Sequence, residues 1–393
     1  MNLAEIQRAL REEKLDAWVI WDFRGSNPIL PRLLPGKRHL TRRVVLVIPS
    51  TGQAHLAVSP LDANQFQGVM LGDAPVAVEE YSGWRALHAW LGANLAGRVA
   101  MEYSPGNALP VMSQVDAGSV ELVRSLGVEV VSSANLVQAS AARWGGAALA
   151  NHRKASDMVD EVKNEAFAHI GKALAAGSII HEHDAARFIR DRFKALGLEW
   201  PDGPIVATNG HAGDPHFEPS ERVPTVIRRG DLILIDLWAR VPGDENVHAD
   251  VTWMGFAGDT IPEQVQKAFE TVIAARDAAL ALAQERWKAS QGVQGWELDD
   301  AAMGVLKSRG FENGIKHRTG HSLSQGPLVH GLGMNLDNLE THDTRPMLTD
   351  TGFTIEPGVY FPEFGIRSEI NVYVDAAQGP VVTSRIQREW IRV

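Results

Sequence analysis

The N-terminal third of the chain alternates between short apolar runs and apolar residues at helical spacing. Leu3, Ile6 and Leu10 recur every three or four residues, and Asn2 is placed to begin this helix as part of a capping box. The same patterns predict strands at Ala17–Trp21, Arg42–Ile48, Val99–Glu102 and Val128–Val131, and helices around Trp84–Leu91 and through Glu121–Leu126. This alternation predicts a compact α/β domain, which we assign to residues 1–145.

The segment Gln138–Ala150 is rich in small residues and interrupts the periodicity, so we place a domain boundary near it. Further helices are predicted at Val159–Ala176, Ile179–Leu196, Pro262–Lys288 and Leu298–Ser308. Thr260 and Glu263 match a capping box that would open the third of these helices. The strand segments between and after the helices favour helices on one face of a mainly antiparallel sheet. We therefore predict an α+β domain at residues 155–393.

Acidic residues interrupt the apolar strand segments of this second domain. Asp236 and Asp250 lie in two such segments, and Glu356 and Glu369 lie in two more. A carboxylate on a buried strand face needs a cation, a metal ion or a proton. The first pair is 14 residues apart and the second pair is 13 apart, which suits the two strands of a hairpin in each case. Two hairpins are therefore predicted, each contributing two carboxylates.

His321 adds one nitrogen ligand to this oxygen-rich set. Such a set suits Mn, Co, Fe or Mg better than a structural zinc ion. Five candidate ligands, four of them acidic, exceed what one small ion needs, and bridging carboxylates between two ions about 3.5 Å apart would use them all. Two such ions would lower the pKa of a bridging water and generate hydroxide near neutral pH.

Composition narrows the classes of function. The chain has 393 residues, of which 45% are hydrophobic and 22% are charged, as in an ordinary globular protein of two domains. Its net charge of −10 argues against nucleic acid or an anionic membrane as the main partner. The absence of cysteine excludes disulfides, thiolate nucleophiles and cysteine-ligated metals. No signal peptide or membrane span is recognised, so a cytoplasmic location is expected.

Five motifs contain the candidate ligands. They are GDLILIDL at 230–237, ADVTW at 249–253, HRTGH at 317–321, TIEPG at 354–358 and GIRSE at 365–369. In this order they resemble the metal-binding signature of the pita-bread metallopeptidases, and more narrowly the prolidase and aminopeptidase P branch. The resemblance covers roughly residues 155–393 and implies a C-terminal pita-bread domain. The preceding α/β domain is similar to the N-terminal domain that these proteins share with creatinase.

The resemblance implies two divalent metal ions, Mn, Co or Zn, and a role for each ligand. By position, Asp236 would chelate the first ion, and Asp250 and Glu369 would bridge both ions. His321 and Glu356 would complete the second ion's ligands. Glu356 would also transfer the proton of the nucleophile.

Three further residues match positions with a function in the family. His216 and His330 would hydrogen-bond the scissile carbonyl or the tetrahedral oxyanion. Arg367 would hold the ligating carboxylates in place from outside. The gap from His321 to His330 is nine residues, where the family usually has seven, so His342 stays an alternative to His330.

The same region departs from the family in composition. His-Ser-Leu-Ser at 321–324 replaces the usual His-Gly-Ile-Gly, and Gly331 follows His330 where many relatives have Glu. These changes leave the metal ligands intact and affect the substrate-side loop. Two other histidines are assigned no catalytic role, since His211 is predicted to be solvated and His317 to be a structural hydrogen-bonding residue near the site.

The resemblance implies a hydrolase that cleaves the Xaa-Pro bond of dipeptides or short peptides through a metal-bridging hydroxide, as a prolidase or an aminopeptidase P. It also implies a homodimer. One alternative is a metal-dependent amidohydrolase that acts on a small non-peptide substrate on the same scaffold. Another is a non-catalytic pita-bread binding module. The presence of all five ligands argues against the module and against a creatinase-like hydrolase that works without metal.

Overall fold

A boundary after Ala141 divides the chain into an N-terminal and a C-terminal unit. The computed structural model describes residues 2–393. The small-residue segment interrupts helical structure as expected, since one helix ends at Ala141 and the next begins at Ala148. The predicted domain limits, 1–145 and 155–393, stay predictions.

The N-terminal unit combines helices with one mixed sheet. Its helices are α1 (Leu3–Glu12), α2 (Leu30–Leu33), α3 (Trp84–Asn94), α4 (Ala117–Ser125) and α5 (Ala134–Ala141). Its strands are β1 (Ala17–Phe23), β2 (Arg43–Pro49), β3 (His55–Val58), β4 (Met70–Leu71), β5 (Ala74–Pro75), β6 (Ala77–Glu80), β7 (Arg98–Met101) and β8 (Glu129–Ser132). The main sheet has the order β6-β3-β2-β1-β7-β8; β2 is antiparallel to both β1 and β3, and the other neighbouring pairs are parallel.

The capping box predicted for α1 is present. The Asn2 side chain accepts from the Glu5 backbone N–H, and the Glu5 carboxylate accepts from the Asn2 backbone N–H. This pair satisfies two amide groups that have no partner within the helix itself. Ile6 and Leu10 then lie on the buried face of α1, as their spacing predicts.

The C-terminal unit has long helices and smaller, mainly antiparallel sheets, in which only β11 and β18 pair in parallel within the described residues. Its helices are α6 (Ala148–Ala175), α7 (Glu182–Leu196), α8 (Glu263–Lys288) and α9 (Gly295–Ser308). Its strands are β9 (Ile205–Thr208), β10 (Leu232–Ala239), β11 (Ala249–Phe256), β12 (Ser322–Leu323), β13 (Gly352–Ile355), β14 (Gly358–Tyr360), β15 (Gly365–Arg367), β16 (Ile370–Asp375), β17 (Gly379–Val382) and β18 (Ile391–Arg392). The sheet orders are β18-β11-β10-β9, β12-β13-β16-β17 and β14-β15. The predicted α+β class is confirmed.

The starts of α6 and α8 show why helix boundaries differ from the sequence-based expectation. Helix α6 begins at Ala148 rather than Val159, because alanine-rich sequence favours helix even where its apolar periodicity is weak. Helix α8 begins at Glu263 with Pro262 as its N-cap and without a side-chain cap, so the box predicted at Thr260 is wrong. The residue before a proline is disfavoured in helical conformation, which prevents the helix from starting before Pro262.

Both faces of β10 are covered, whereas the sequence predicts helices on one face. Ile233 and Ile235 pack in the core that α6 and α7 form. Leu232 and Leu234 point the other way, into the core of α8, α9 and the second sheet. A strand buried on both faces reads as a continuous apolar run, which is the pattern of β10. Within residues 2–393, no helix is both long enough and apolar enough to cross a membrane.

Candidate metal centre

The hairpin of β10 and β11 brings its two acids to one face. Asp236 lies opposite Thr252, and Asp250 lies opposite Trp238, in an antiparallel register. Opposed residues share a face of a sheet, and so do residues two apart on one strand. Asp236, Thr252 and Asp250 therefore project to the same side, although 14 residues separate the acids along the chain.

A second pair of strands brings the two glutamates together. β13 pairs with β16, and Ile355 lies opposite Ile370. Glu356 directly follows β13 and Glu369 directly precedes β16, so both side chains leave the same end of this pair. The chain between them folds back as β14 and β15. Both spacings that predict a hairpin thus correspond to antiparallel strands in the structure.

His321 joins the two acid pairs. It directly precedes β12, which pairs with β13. Its Nε2 lies 3.4 Å from Asp250 Oδ2 and 3.4 Å from Glu356 Oε1. One ligand atom from each of Asp250, His321 and Glu369 lies within 4.8 Å of the others. The structure therefore places the five predicted ligands in one largely buried cluster.

The acids of this cluster repel one another. Burial raises the pKa of Asp236 to about 7, with the charges of Asp250 and Glu356 adding to the rise and Arg367 opposing it. Burial also raises the pKa values of Asp250 and Glu369 well above the ordinary range, and neighbouring carboxylates raise them further. These groups need protons or cations to remain buried together.

Glu356 behaves differently from the other acids. Burial alone would raise the pKa of its carboxyl, but His321, His317 and Arg367 outweigh that effect and lower the pKa. The Thr354 hydroxyl also donates to Glu356 Oε1 at 3.1 Å. The structure therefore favours an ionised Glu356 among acids that resist ionisation.

Two carboxylate oxygens fit a metal ion directly. Asp236 Oδ1 and Glu369 Oε1 are buried, and neither has a hydrogen-bond partner among residues 2–393. A buried acceptor without a donor is costly, and a cation would satisfy it. A set of four carboxylates and one imidazole is also a donor set that divalent ions accept. The residues present therefore fit divalent metal.

Arg367 holds two carboxylates of this cluster in place through hydrogen bonds. Its guanidinium donates to Asp236 Oδ2, to Thr252 Oγ1 at 3.0 Å and to Tyr360 Oη at 2.9 Å. Thr252 in turn donates to Glu369 Oε2 at 2.9 Å. Arg367 thus fixes Asp236 directly and Glu369 through one hydroxyl, as expected for a partner that orients metal ligands.

Thr252 and Tyr360 contact Arg367 beside the cluster, and the sequence does not single them out. Thr252 lies two residues after Asp250 on β11, so strand alternation could have identified it. Tyr360 reaches the site only through the folding of β14, and no local signal marks it. Its Oη lies 2.6 Å from His317 Nε2, so His317 makes the kind of structural hydrogen bond that its sequence position predicts.

The other predicted histidines lie at different distances from the cluster. His330 is exposed, but its ring centroid is 4.1 Å from that of His321; the charge of His321, followed by partial loss of hydration, lowers the pKa of His330 to about 3. His216 is exposed, and its charge contributes to lowering the pKa of His330. His342 is exposed and bonds Asn338 Oδ1 at 2.8 Å. The structure brings His330 to the ligands and not His342.

The sequence predicts that His211 is solvated, but in the structure its ring has two partners. Its Nδ1 lies 2.9 Å from Glu182 Oε2, and its ring stacks on Phe217 with centroids 4.2 Å apart. Glu182 is buried and also accepts from Thr208, so His211 partners a buried carboxylate. The contact joins residues 29 positions apart, which sequence periodicity cannot reveal.

Comparison with known proteins shows which family the chain resembles. The sequence pattern of metallopeptidase family M24 matches residues 150–376, which is more than half of the chain. The putative dipeptidase YkvY of Bacillus subtilis is 30% identical over 188 residues, covering 48% of this chain and 46% of that protein. The Xaa-Pro dipeptidase of Pyrococcus furiosus is 27% identical over 198 residues, covering 49% and 51%. The chain spans about half the length of the curated relatives it matches.

Solved structures agree with the fold. Dipeptidase PepE from Mycobacterium ulcerans has a TM-score of 0.72 at 22% identity, covering 100% of this chain and 96% of that chain. The prolidase from Pyrococcus horikoshii has a TM-score of 0.63 at 20% identity, covering 99% of both chains. The X-prolyl aminopeptidase from Caenorhabditis elegans, described as a cytosolic enzyme with a di-nuclear active site, has a TM-score of 0.63 at 16% identity, covering 98% and 62%. These likenesses confirm the predicted pita-bread fold.

Proposed function

The chain belongs to metallopeptidase family M24, and we propose that it is a dinuclear-metal hydrolase that cleaves the Xaa-Pro bond of dipeptides or short peptides. The observation that carries the proposal is the buried cluster of four carboxylates and one imidazole, in which two carboxylate oxygens lack a hydrogen-bond partner within residues 2–393. The substrate class is supported by relatives named as dipeptidases and Xaa-Pro dipeptidases.

Five residues would hold the metal ions, for which we propose Mn, Co or Zn. They are Asp236, Asp250, His321, Glu356 and Glu369. When bound, divalent ions would supply Lewis acidity and activate a water molecule near neutral pH. Without cations, the raised pKa values of Asp236, Asp250 and Glu369 would leave these side chains partly protonated. The protein's contribution is therefore to keep several carboxyl groups close together, with Asp236 Oδ1 and Glu369 Oε1 free of hydrogen bonds from the described residues.

Glu356 is the proposed proton acceptor. His321, His317 and Arg367 outweigh burial and lower the pKa of its carboxyl, which favours the carboxylate form. The Thr354 hydroxyl fixes one of its oxygens. An ionised carboxylate held in a fixed position can take the proton of the attacking water and later deliver it to the leaving amine.

Two histidines are proposed to contact the substrate. His330 is held neutral next to His321, so its ring can donate one N–H to the carbonyl oxygen that becomes negatively charged. His216 is exposed on a loop and is proposed to bind the same region of the substrate. The homodimer that the resemblance implies and the cytoplasmic location that the sequence leads us to expect belong to this proposal as well, and the mass of the protein in solution would test the homodimer.

A panel of peptides tests the proposal. Metal-stripped protein is given back Mn or Co and incubated with Xaa-Pro dipeptides, Xaa-Pro-Xaa tripeptides and matched Xaa-Ala peptides. Release of proline from dipeptides alone identifies a prolidase, and cleavage of the tripeptides as well identifies an aminopeptidase P. If metal is bound but no peptide is cleaved, the peptidase function is wrong and small non-peptide amides become the substrates to try.

A further inference from the structure

The chain after His330 returns to two serine side chains. The Gly333 backbone N–H donates to Ser322 Oγ at 2.9 Å, and the Leu332 backbone N–H donates to Ser324 Oγ at 3.2 Å. Both serines are buried. The two hydroxyls therefore satisfy consecutive backbone donors of the loop, as a strand partner would otherwise do.

The hydroxyls also occupy space that side chains would need in the returning segment. A Cβ on Gly331 would lie 2.6 Å from both the nitrogen and Oγ of Ser324, and a Cβ on Gly333 would lie 2.7 Å from Ser322 Oγ. Such approaches are closer than van der Waals contact allows, so a side chain at 331 would displace the Ser324 backbone and one at 333 would displace the Ser322 hydroxyl. This explains why Gly331 follows His330: serines at 322 and 324 and a glycine at 331 fit together as one set.

The start of the loop is fixed separately. The Gln325 side chain donates to the Glu245 carbonyl and accepts from the Gly145 backbone N–H at 3.0 Å. The Arg240 guanidinium donates to the Gly326 carbonyl. Between these anchors and the serine-bound segment the loop is open to solvent, and Leu328 is 68% exposed.

His330 lies at the junction between the exposed part of the loop and the part bound by serines. Gly331, the next residue, donates its backbone N–H to the Ser322 carbonyl at 2.6 Å. The serine hydroxyls then hold the following two residues. Because only one peptide unit separates the His330 Cα from this bound segment, the segment sets the origin and direction of its side chain.

We propose that the hydroxyls of Ser322 and Ser324 are positioning groups that hold the His330 ring against His321. The effect of this positioning on catalysis rests on the proposed function, in which His330 acts on the substrate carbonyl. Neither hydroxyl needs to touch substrate or metal. A shift of about 1 Å in a group that must meet a reacting atom can cost about 100-fold in rate.

The test uses Ser322→Ala, Ser324→Ala and the double variant in the full-length protein. Ser104→Ala is the matched control, because Ser104 Oγ accepts the Leu109 backbone N–H at 2.8 Å in the N-terminal unit. Three quantities are measured: the nuclear Overhauser effect between the His321 and His330 ring protons in metal-stripped protein, the exchange rates of the 332 and 333 amides, and the kcat and KM for an Xaa-Pro peptide.

The double variant is expected to lose the ring-to-ring signal, to exchange both amides at least about tenfold faster, and to lose about 10- to 100-fold in kcat with KM changed less than about threefold. Metal content should match that of the wild-type protein, and the control should keep the signal, the exchange rates and kcat. Retained signal and exchange rates would overturn the proposal, and so would their loss with unchanged kcat. A wild-type protein that cleaves no peptide would refute the proposed function alone, and the ring signal and amide exchange would still decide the positioning.

Discussion

Each unit of the protein contains buried carboxyl groups: Glu102 in the N-terminal unit and the acidic cluster in the C-terminal unit. The two differ in the groups that surround the carboxylates. In the N-terminal unit, Glu102 is fully buried and accepts from Trp18 Nε1 at 2.6 Å, Asn27 Nδ2 at 2.7 Å and Ser133 Oγ at 3.0 Å. Burial raises the pKa of this carboxyl, and the three donors oppose the rise. Both of its oxygens have neutral partners, so the group is complete without a ligand.

The C-terminal cluster is incomplete by the same measure. Its acids raise one another's pKa values, and Asp236 Oδ1 and Glu369 Oε1 have no donor in the described part of the chain. Burial and a raised pKa are common to both units and therefore do not identify a functional site. Oxygens left without donors among like charges distinguish the C-terminal cluster as the candidate metal centre, because an added cation would both satisfy these oxygens and offset the repulsion.

The largest effect is expected for Asp250→Asn, which removes one negative charge from the centre of the cluster. Metal content and kcat/KM should both fall by more than about 100-fold, since mutation of a residue that only hydrogen-bonds a metal ligand already lowers metal affinity or activity by about 10- to 100-fold. Metal analysis by mass spectrometry and peptide assays on the same samples check this result. Full metal content and activity in this variant would remove the distinction between the two acid sites.

A second effect concerns the pH dependence of the free energy of unfolding. In the metal-free protein the pKa of Asp236 is raised to about 7 from an ordinary value near 3.8, so the folded state holds a proton that the unfolded state has lost. That stabilisation is complete below pH 4 and is lost as pH rises through 7. Each such carboxyl contributes a slope of about 1.4 kcal/mol per pH unit.

Denaturant unfolding of metal-free protein from pH 4 to pH 8 measures this slope. Added Mn should abolish the decline, because bound cations replace the protons. The control is Asp236→Asn, which should lose the part of the slope that comes from this residue. A stability that stays constant or rises over the interval would contradict the electrostatic account of the cluster.

A smaller effect is expected for Arg367→Lys. Lysine keeps the charge but cannot contact Asp236, Thr252 and Tyr360 in the planar arrangement of a guanidinium. Metal affinity or activity should fall by about 10- to 100-fold. Calorimetric titration with Mn measures the affinity, and an unchanged dissociation constant would show that the carboxylates are held without Arg367.

The smallest effect on function is expected for Glu102→Gln. The amide NH₂ of glutamine would face a donor where the carboxylate now accepts, which should lower the free energy of unfolding by about 1–3 kcal/mol. Metal content and kcat per folded molecule should stay at wild-type values. Loss of metal binding here would mean that Glu102 belongs to a functional site, contrary to the comparison.

The predictable parts of the site share a simple origin. The acids lie in apolar runs at spacings that suit hairpins, and strand pairing with a period of two residues then dictates that Asp236 and Asp250 share a face. Periodicity likewise predicts the buried face of α1. These features depend on residues close in sequence, so local patterns reveal them.

The unpredicted parts depend on contacts distant in sequence. The donors to Glu102 include Trp18, which is 84 residues away, and Arg367 bonds Asp236 across 131 residues. The sequence identifies Arg367 only through its motif, and nothing marks Tyr360. The start of α8 is different, because the local sequence is sufficient to predict it: Pro262 disfavours helical conformation at the residue before it.

The most direct measurement titrates metal-stripped protein with Mn and follows bound metal and proline release from an Xaa-Pro dipeptide in the same samples. Our account predicts two ions bound per chain, with cleavage absent in the stripped protein and rising as the ions bind. It also predicts that Asp250→Asn abolishes both signals while Glu102→Gln preserves them. Cleavage at full rate in the stripped protein would contradict the claim that these buried carboxylates form the metal centre. Absence of a bound ion at the cluster in the presence of excess Mn would contradict it as well.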